Sequence, residues 1–472
     1  MPPCERASPG PAAGRRLAAA LAAAAVALSA PGCARTPRPD IVLIVIDTLR
    51  ADHLGAYGYA RAQTPRLDAL AAAGTRFDAA YATCSWTLPS VASILTGRYP
   101  VEHGAQRLSS VLGDAQVTLA ETLAAAGYQT FGISANTAVV NAESGLAQGF
   151  ARFEVIEERG PQSGPDLVWM ENGTYRVPPE ATADVVTDAA LAMVAARDAS
   201  RPYFLYAHYF DPHSSYSPPL AYALKFGVAA DDPMRGPAQR LAAISGKTPP
   251  ALLETLKALY DAEIAFMDTE IGRLIDGLGL ADTPRHTVVV VTADHGEEFA
   301  DHGGIQHGRS LYQEMLHVPL FVAGGGFPAG RVVGTTVSSI SIVPTLAELA
   351  RAEAPPGLAG RSLVAELRGG AAPSTALFAD LPAGAVHRSA VIDDAWKLVL
   401  DRGFRPILYD LVGDPGETRA RNDGEAARAQ ALQRAIGEHN KAGYAARAAA
   451  PPGERVLDDH RRDRLRALGY VE

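Results

Sequence analysis

At 472 residues, 47% of them hydrophobic and 20% charged, the chain is long enough to bury a sizeable core and to hold two or three domains. A formal net charge of -9 excludes the basic footprint of a nucleic-acid-binding protein, and acidity of this size is read as solubility alone. The three cysteines, Cys4, Cys33 and Cys84, supply no disulfide framework.

In chain order, the first stretch lies outside the fold. Arg15-Arg16 precede an Ala/Leu/Val run from Leu17 to Ala30, followed by Pro31-Gly32-Cys33, the layout of a secretion signal. The run is shorter than the roughly 20 residues that cross a bilayer. Leu28 to Cys33 resembles the processing site of bacterial lipoproteins, which implies an exported, periplasmic or cell-envelope protein with membrane attachment through a lipidated Cys33; the arginine pair also permits twin-arginine export. Residues 1–33 are therefore expected to be a signal peptide and 34–39 a linker.

Asp40 to Asp47 is a continuous apolar run closing on a carboxylate, which predicts a buried parallel strand with Asp47 at the C-terminal edge, where open α/β sheets build their sites. Thr64-Pro65 opens a helix through Ala73, closed by Gly74. From Thr83 to Gly97, Pro89 suits a first helical turn, Ser90 and Ser93 offer hydroxyls, and the apolar residues after them can bury one face. Cys84 or Thr87 would then face backbone N–H groups suited to a phosphate or sulfate, and either could be a nucleophile.

Leu119 to Ala126 predicts a helix, and Gln129 to Ser134 a strand delivering Asn136. Ala181 to Ala196 is helical in pattern. Tyr203 to His208 reads as a strand running into Tyr209-Phe210-Asp211-Pro212-His213, whose histidines and Asp suit ligand or metal contact. Thr248 to Gly279 holds a long helix whose apolar stripe is core. Thr287 to Ala293 is the clearest strand and leads into Asp294-His295-Gly296, a carboxylate and an imidazole side by side in a metal half-site. Asp301-His302 and Gln306-His307 keep two more histidines near this edge. Val318 to Val322 predicts a strand and Ser341 to Ala350 a helix. From Ala371 the texture shifts to Ala, Pro and Gly, with short strands around 390–392 and 397–400 and a charged helix from Glu425 to His439. The expected organisation is a catalytic domain over 40–370 and a C-terminal α+β subdomain over 371–472.

The order of these features resembles the sulfatase branch of the alkaline phosphatase superfamily. It is carried by Asp47, the 84–91 stretch, Asp211-Pro212-His213, Asp294-His295-Gly296-Glu297 and His307, with Val42 to Asp52, Gly55 to Gly58, Leu95-Thr96-Gly97, Leu311-Tyr312, Gly360 to Leu363 and Leu408 to Leu411 in support. The resemblance implies an alkaline-phosphatase-like α/β fold, with a mostly parallel central sheet flanked by helices. Sulfatases carry Cys-x-Pro-Ser-Arg, whose cysteine matures to formylglycine. Aligning Pro89-Ser90 puts Thr87 at that position and Val91 at the arginine, while Cys84 lies three residues early; no formylglycine is expected. Thr87 instead resembles the nucleophile of superfamily members that act on phosphate esters.

The resemblance further implies one divalent metal held by Asp47, Thr87, Asp294 and His295, with Mn²⁺ or Zn²⁺ favoured over Ca²⁺ or Mg²⁺. It assigns His213 and His307 to the leaving oxygen, and Asn136 and His208 to substrate. A second metal on His208, Asp211, His213 and His307 is the alternative. The expected activity is cleavage of a phosphate or sulfate ester of a small molecule, lipid or glycan through a metal-activated Thr87. A true sulfuric ester hydrolase and a catalytically inactive envelope binding protein are the rival readings.

Overall fold

The computed structural model describes residues 37–156, 169–171, 174–176, 182–214, 216–235, 248–280, 286–383, 386–401 and 405–457. The expected signal peptide with Cys33, half of the linker (34–36), and much of the irregular stretch expected over 151–179 lie outside these residues. Among the described residues, no helix is long and apolar enough to cross a membrane.

Eight strands form the central sheet: β1 (Asp40–Ile46), β2 (Gly74–Phe77), β3 (Gln129–Ser134), β4 (Arg152–Val155), β5 (Tyr203–Tyr209), β6 (Thr287–Ala293), β7 (Leu320–Gly324) and β8 (Arg331–Val333), in the order β8-β2-β7-β6-β1-β5-β3-β4. Strands β6, β1, β5, β3 and β4 are mutually parallel, whereas β7 runs against both of its neighbours. The apolar runs that predicted β1, β5 and β6 are buried along their whole length, as expected of strands covered on both faces. Burying the valines and isoleucines of β1 and β6 stabilises the fold by about 1.5–3 kcal/mol per side chain.

Helices flank this sheet: α1 (Pro65–Ala72), α2 (Thr87–Thr96), α3 (Leu119–Ala125), α4 (Ala183–Ala195), α5 (Pro250–Gly277) and α6 (Ile342–Ala350). Thr118 caps α3 by accepting from Glu121 N while the Glu121 side chain returns to Thr118 N, a reciprocal capping box. Asp268, on α5, accepts from the N–H groups of Arg66 and Leu67 at the start of α1, so the long helix caps its neighbour from the side. α2 ends at Gly97, whose φ of 68° is a left-handed conformation that a side chain would strain.

The C-terminal sheet is a four-stranded antiparallel meander, β9 (Leu377–Ala383), β10 (Val386–Asp393), β11 (Trp396–Asp401) and β12 (Arg405–Asp410), covered by α7 (Ala426–Ala449). A buried carboxylate pins these pieces together. Asp380 on β9 accepts from His387 Nε2 (3.1 Å), Ser389 Oγ (2.9 Å) and His439 Nε2 (3.0 Å), and the His439 ring stacks on Phe378 at 4.1 Å between centroids.

Candidate active site

Four adjacent strands of the central sheet bring their C-terminal ends to one edge. Val45 pairs with both Thr292 and His208, and His208 in turn with Ser134. That common register carries Asp47, Asp294, His208 and Asn136 to the same level, so residues far apart in sequence meet in one buried cluster.

Thr48 turns the chain at this edge. Its φ of 56° is an uncommon conformation for a β-branched residue and costs on the order of 1–3 kcal/mol. Two contacts hold it there: Thr48 N donates to Asp294 Oδ1 (3.2 Å) and Tyr260 OH donates to the Thr48 carbonyl (2.7 Å). Gly296 is required by proximity, since a Cβ there would lie 1.9 Å from the Glu314 carbonyl oxygen.

Asp47 and Asp294 are fully buried and adjacent. Asp47 Oδ2 accepts from Asn136 Nδ2 (2.8 Å) and lies 3.3 Å from His208 Nε2, while its Oδ1 faces His295 Nε2 at 3.7 Å. Burial works to raise the Asp47 pKa, but the imidazoles of His213, His208 and His295 outweigh it and hold Asp47 well below the usual carboxylate range. Asp294 goes the other way, pushed well up by burial and then by the charge of Asp47. Its Oδ1 accepts from His295 N (2.9 Å), whereas its Oδ2 has no hydrogen-bond partner among the described residues and lies 3.4 Å from His295 Nε2. Two buried carboxylates side by side, one with an orphaned oxygen, are costly without a cation and are a fitting donor set for one. Ligand atoms of Asp47, His208 and Asp294 lie within 4.8 Å of one another, the one such grouping among the described residues. His208, expected on the substrate, therefore sits with the metal donors. His295 Nε2 borders them, and its Nδ1 faces the Gly296 carbonyl at 2.9 Å, an arrangement that leaves Nε2 as the ligating atom.

Thr87 is the first residue of α2 and is fully buried. Its Oγ1 lies 3.3 Å from His295 Nε2 and 3.5 Å from Asp47 Oδ1, contacts longer than a firm hydroxyl hydrogen bond. Ser90, one turn on, donates its hydroxyl to the Asp294 carbonyl and ties α2 to the end of β6. The segment before Thr87 is held by three distant parts of the chain: Ala82 N donates to the Leu316 carbonyl (2.8 Å), Asp380 N to the Thr83 carbonyl (2.9 Å) and Gly308 N to the Ser85 carbonyl (2.7 Å). Cys84 packs in the main core, and burial pushes its thiol far up.

Opposite Asp47 stand His213 and His307, both buried, their ring centroids 4.9 Å apart and His307 4.7 Å from His295. Burial lowers the pKa of all three, His295 to about 3 and His307 to about 4. His307 Nδ1 pairs with Glu297 Oε1 at 3.0 Å, and burial pushes the Glu297 carboxyl up to about 7. Sequence reasoning gave Glu297 no role, although it stands directly after Asp294-His295-Gly296. The four-residue second-metal set does not converge. Asp211 is turned away to accept from Thr182 N and Oγ1, and His208 is engaged with Asp47. His302 also lies elsewhere, stacked on Tyr312 and paired with Glu314. Asn136, expected on the substrate, spends its amide on Asp47.

Comparison with known proteins agrees with this architecture. The sequence model of the family described as "Sulfatase" matches residues 39–352. The chain is 25% identical over 418 residues to the N-acetylglucosamine-6-O-sulfatase of Bacteroides thetaiotaomicron, covering 71% of this chain and 73% of that protein. It is 26% identical to the multifunctional alkaline phosphatase superfamily protein PehA of Trinickia caryophylli, over 80% of this chain and 90% of that one. The phosphonate monoester hydrolase of Agrobacterium radiobacter shares the fold, with a TM-score of 0.70, 23% identity, and 89% and 100% of the two chains covered.

Proposed function

The chain belongs to the sulfatase family of the alkaline phosphatase superfamily, and from that premise we propose that it is an exported hydrolase or transferase that attacks a phosphate ester through Thr87. The observation that carries the reading is the placement of Thr87 Oγ1 at the head of α2, 3.3 Å from His295 Nε2 and beside Asp47, with Cys84 confined to the core. Export rests on the sequence from Arg15 to Cys33.

Asp47, Asp294, His208 and His295 would hold one divalent cation, and their mixture of carboxylate and imidazole favours Mn²⁺ or Zn²⁺. Such an ion, when bound, supplies charge to polarise the ester and lower the pKa of a nearby hydroxyl. The Thr87 oxygen, its hydroxyl proton lost to solvent beforehand and the alkoxide released again at the end of the cycle, attacks phosphorus as the ester P–O bond breaks. The departing oxygen takes a proton from an imidazole on the opposite wall, where His213 and His307 stand. Water or an acceptor alcohol then displaces the phosphoryl group from Thr87. Asn136 keeps Asp47 aligned through its 2.8 Å hydrogen bond, and the strained Thr48 fixes Asp294 through its N–H.

A sulfate ester is the second reading, favoured by the similarity to N-acetylglucosamine-6-O-sulfatase. Purified protein assayed with Mn²⁺, Zn²⁺ and Ca²⁺ on aryl phosphomonoesters, phosphodiesters and sulfates separates the two. Turnover of sulfates alone would replace the phosphate reading, and absence of both turnover and bound metal would leave a binding protein.

A further inference from the structure

Four imidazoles, His208, His213, His295 and His307, are buried around Asp47 and Asp294, and each has its Nδ1 engaged. The Tyr206 hydroxyl lies 2.9 Å from His208 Nδ1, the Ser214 carbonyl 2.7 Å from His213 Nδ1, and the Gly296 carbonyl 2.9 Å from His295 Nδ1. All three partners are neutral. His307 differs, because its Nδ1 faces a carboxylate, Glu297 Oε1, at 3.0 Å.

We propose that Glu297 is the positioning residue that makes His307, rather than His213, the imidazole that passes a proton to the substrate's leaving oxygen. The inference rests on the reading of Thr87 as nucleophile. A carbonyl at Nδ1 orients the ring and does little more, whereas a carboxylate orients it and also stabilises the positive charge carried when both ring nitrogens are protonated. His208 and His295 are set aside because their Nε2 atoms face Asp47 at 3.3 and 3.7 Å. The His213 and His307 rings stand 4.9 Å apart and differ in what their Nδ1 atoms face, a backbone carbonyl for His213 and a carboxylate for His307.

The local chain holds Glu297 rigidly. Arg50 Nη1 donates to its backbone carbonyl at 3.0 Å, and the close approach at Gly296 locks the preceding turn. Burying a carboxylate without pairing is expensive, and the His307 pairing is what makes a fully buried Glu297 tolerable. In the cycle, Nε2–H is given to the departing oxygen as the ester bond breaks, and Nδ1–H stays on the Glu297 carboxylate. Nε2 then takes a proton from the incoming water, restoring the starting state.

The test uses the full chain with its metal on aryl esters of graded leaving-group basicity. Glu297→Gln should lower kcat about 10²-fold on phenyl and alkyl esters yet only about threefold or less on the 4-nitrophenyl ester, with KM nearly unchanged. Glu297→Asp should recover much of the loss. His307→Gln should show the same leaving-group slope, His213→Gln should not, and the Glu297→Gln/His307→Gln pair should be no worse than His307→Gln alone. Equal loss across all leaving groups, or full additivity, overturns the proposal. Nitrogen NMR of histidine-labelled protein reads the pairing without turnover: the Nδ1-protonated signal of His307 should be lost in Glu297→Ala, and its persistence also overturns it. Should the alanine variant not fold, Glu297→Gln gives the same reading, as a shift of the His307 nitrogens expected on loss of the charge. If Thr87→Ala retains turnover, the nucleophile reading fails by itself, while the NMR result still decides the Glu297–His307 pairing.

Discussion

Two buried carboxylate–imidazole clusters are built from the same residue types to opposite ends. In the C-terminal sheet, Asp380 has both oxygens occupied by His387, Ser389 and His439. At the sheet edge, Asp47 and Asp294 are pressed together with one oxygen orphaned. The first cluster is complete within the chain and serves as a fastener. The second keeps an unmet demand for charge that a cation would satisfy, and that demand is what marks it as a candidate functional site.

The sharpest break of this comparison is Thr87→Ala, which should lower kcat on the order of 10⁴-fold while leaving bound metal, measured by elemental analysis, close to the wild-type level. Next in size are opposite stability changes in chelated protein. Asp380→Asn should lose about 3 kcal/mol, because two imidazoles and a hydroxyl lose a charged acceptor, whereas Asp294→Asn should gain about 1–2 kcal/mol by relieving repulsion from Asp47. Thermal unfolding reads both signs, and a loss in both variants would erase the distinction drawn between the clusters.

A smaller effect separates them by pH. Burial would raise Asp380, but hydrogen bonds and charge from His387 and His439 outweigh it and hold it well below the usual carboxylate range. A carboxylate with a lowered folded pKa contributes stability above its unfolded pKa, and that contribution is lost as pH falls through the folded value. Acid unfolding curves below about pH 4 should therefore be flatter in Asp380→Asn than in wild type. The smallest effect belongs to Cys84→Ala, which should cost about 1 kcal/mol of stability and leave kcat within about twofold. An intact-mass spectrum of the Cys84 peptide should show an unmodified thiol.

Much of this arrangement was legible in the sequence, for identifiable reasons. Apolar runs predicted β1, β5 and β6 to within a residue, because a strand buried on both faces leaves few polar positions to blur its ends. Asp47, Asp294 and His295 were readable as site residues because they stand directly at those ends. The short strands β8, at the sheet edge, and β2, next to it, carry no such run, and the reversed direction of β7 is set by its neighbours rather than by Leu320 to Gly324 itself. The last helix continues ten residues beyond His439, to Ala449, through a segment whose apolar face is too sparse to mark its end. Within the site, strand register decided what residue type could not. His208 lies level with Val45 and so reaches Asp47, while Asp211 points to Thr182. Glu297 entered only as the last residue of the Asp294-to-Glu297 motif and was given no role, since a glutamate there is ordinary until its oxygen is found against an imidazole.

The tether from Asp380 N to the Thr83 carbonyl also orders events in time. During synthesis, Thr83 to Thr87 emerge long before β9 exists, so the loop that presents the nucleophile lacks one of its three anchors until the C-terminal sheet has been made. A chain interrupted before Leu377 would carry every metal donor and Thr87 itself, yet hold that hydroxyl on an unfinished loop. Completion of the last sheet is thus the step that adds the final backbone anchor to the loop carrying Thr87.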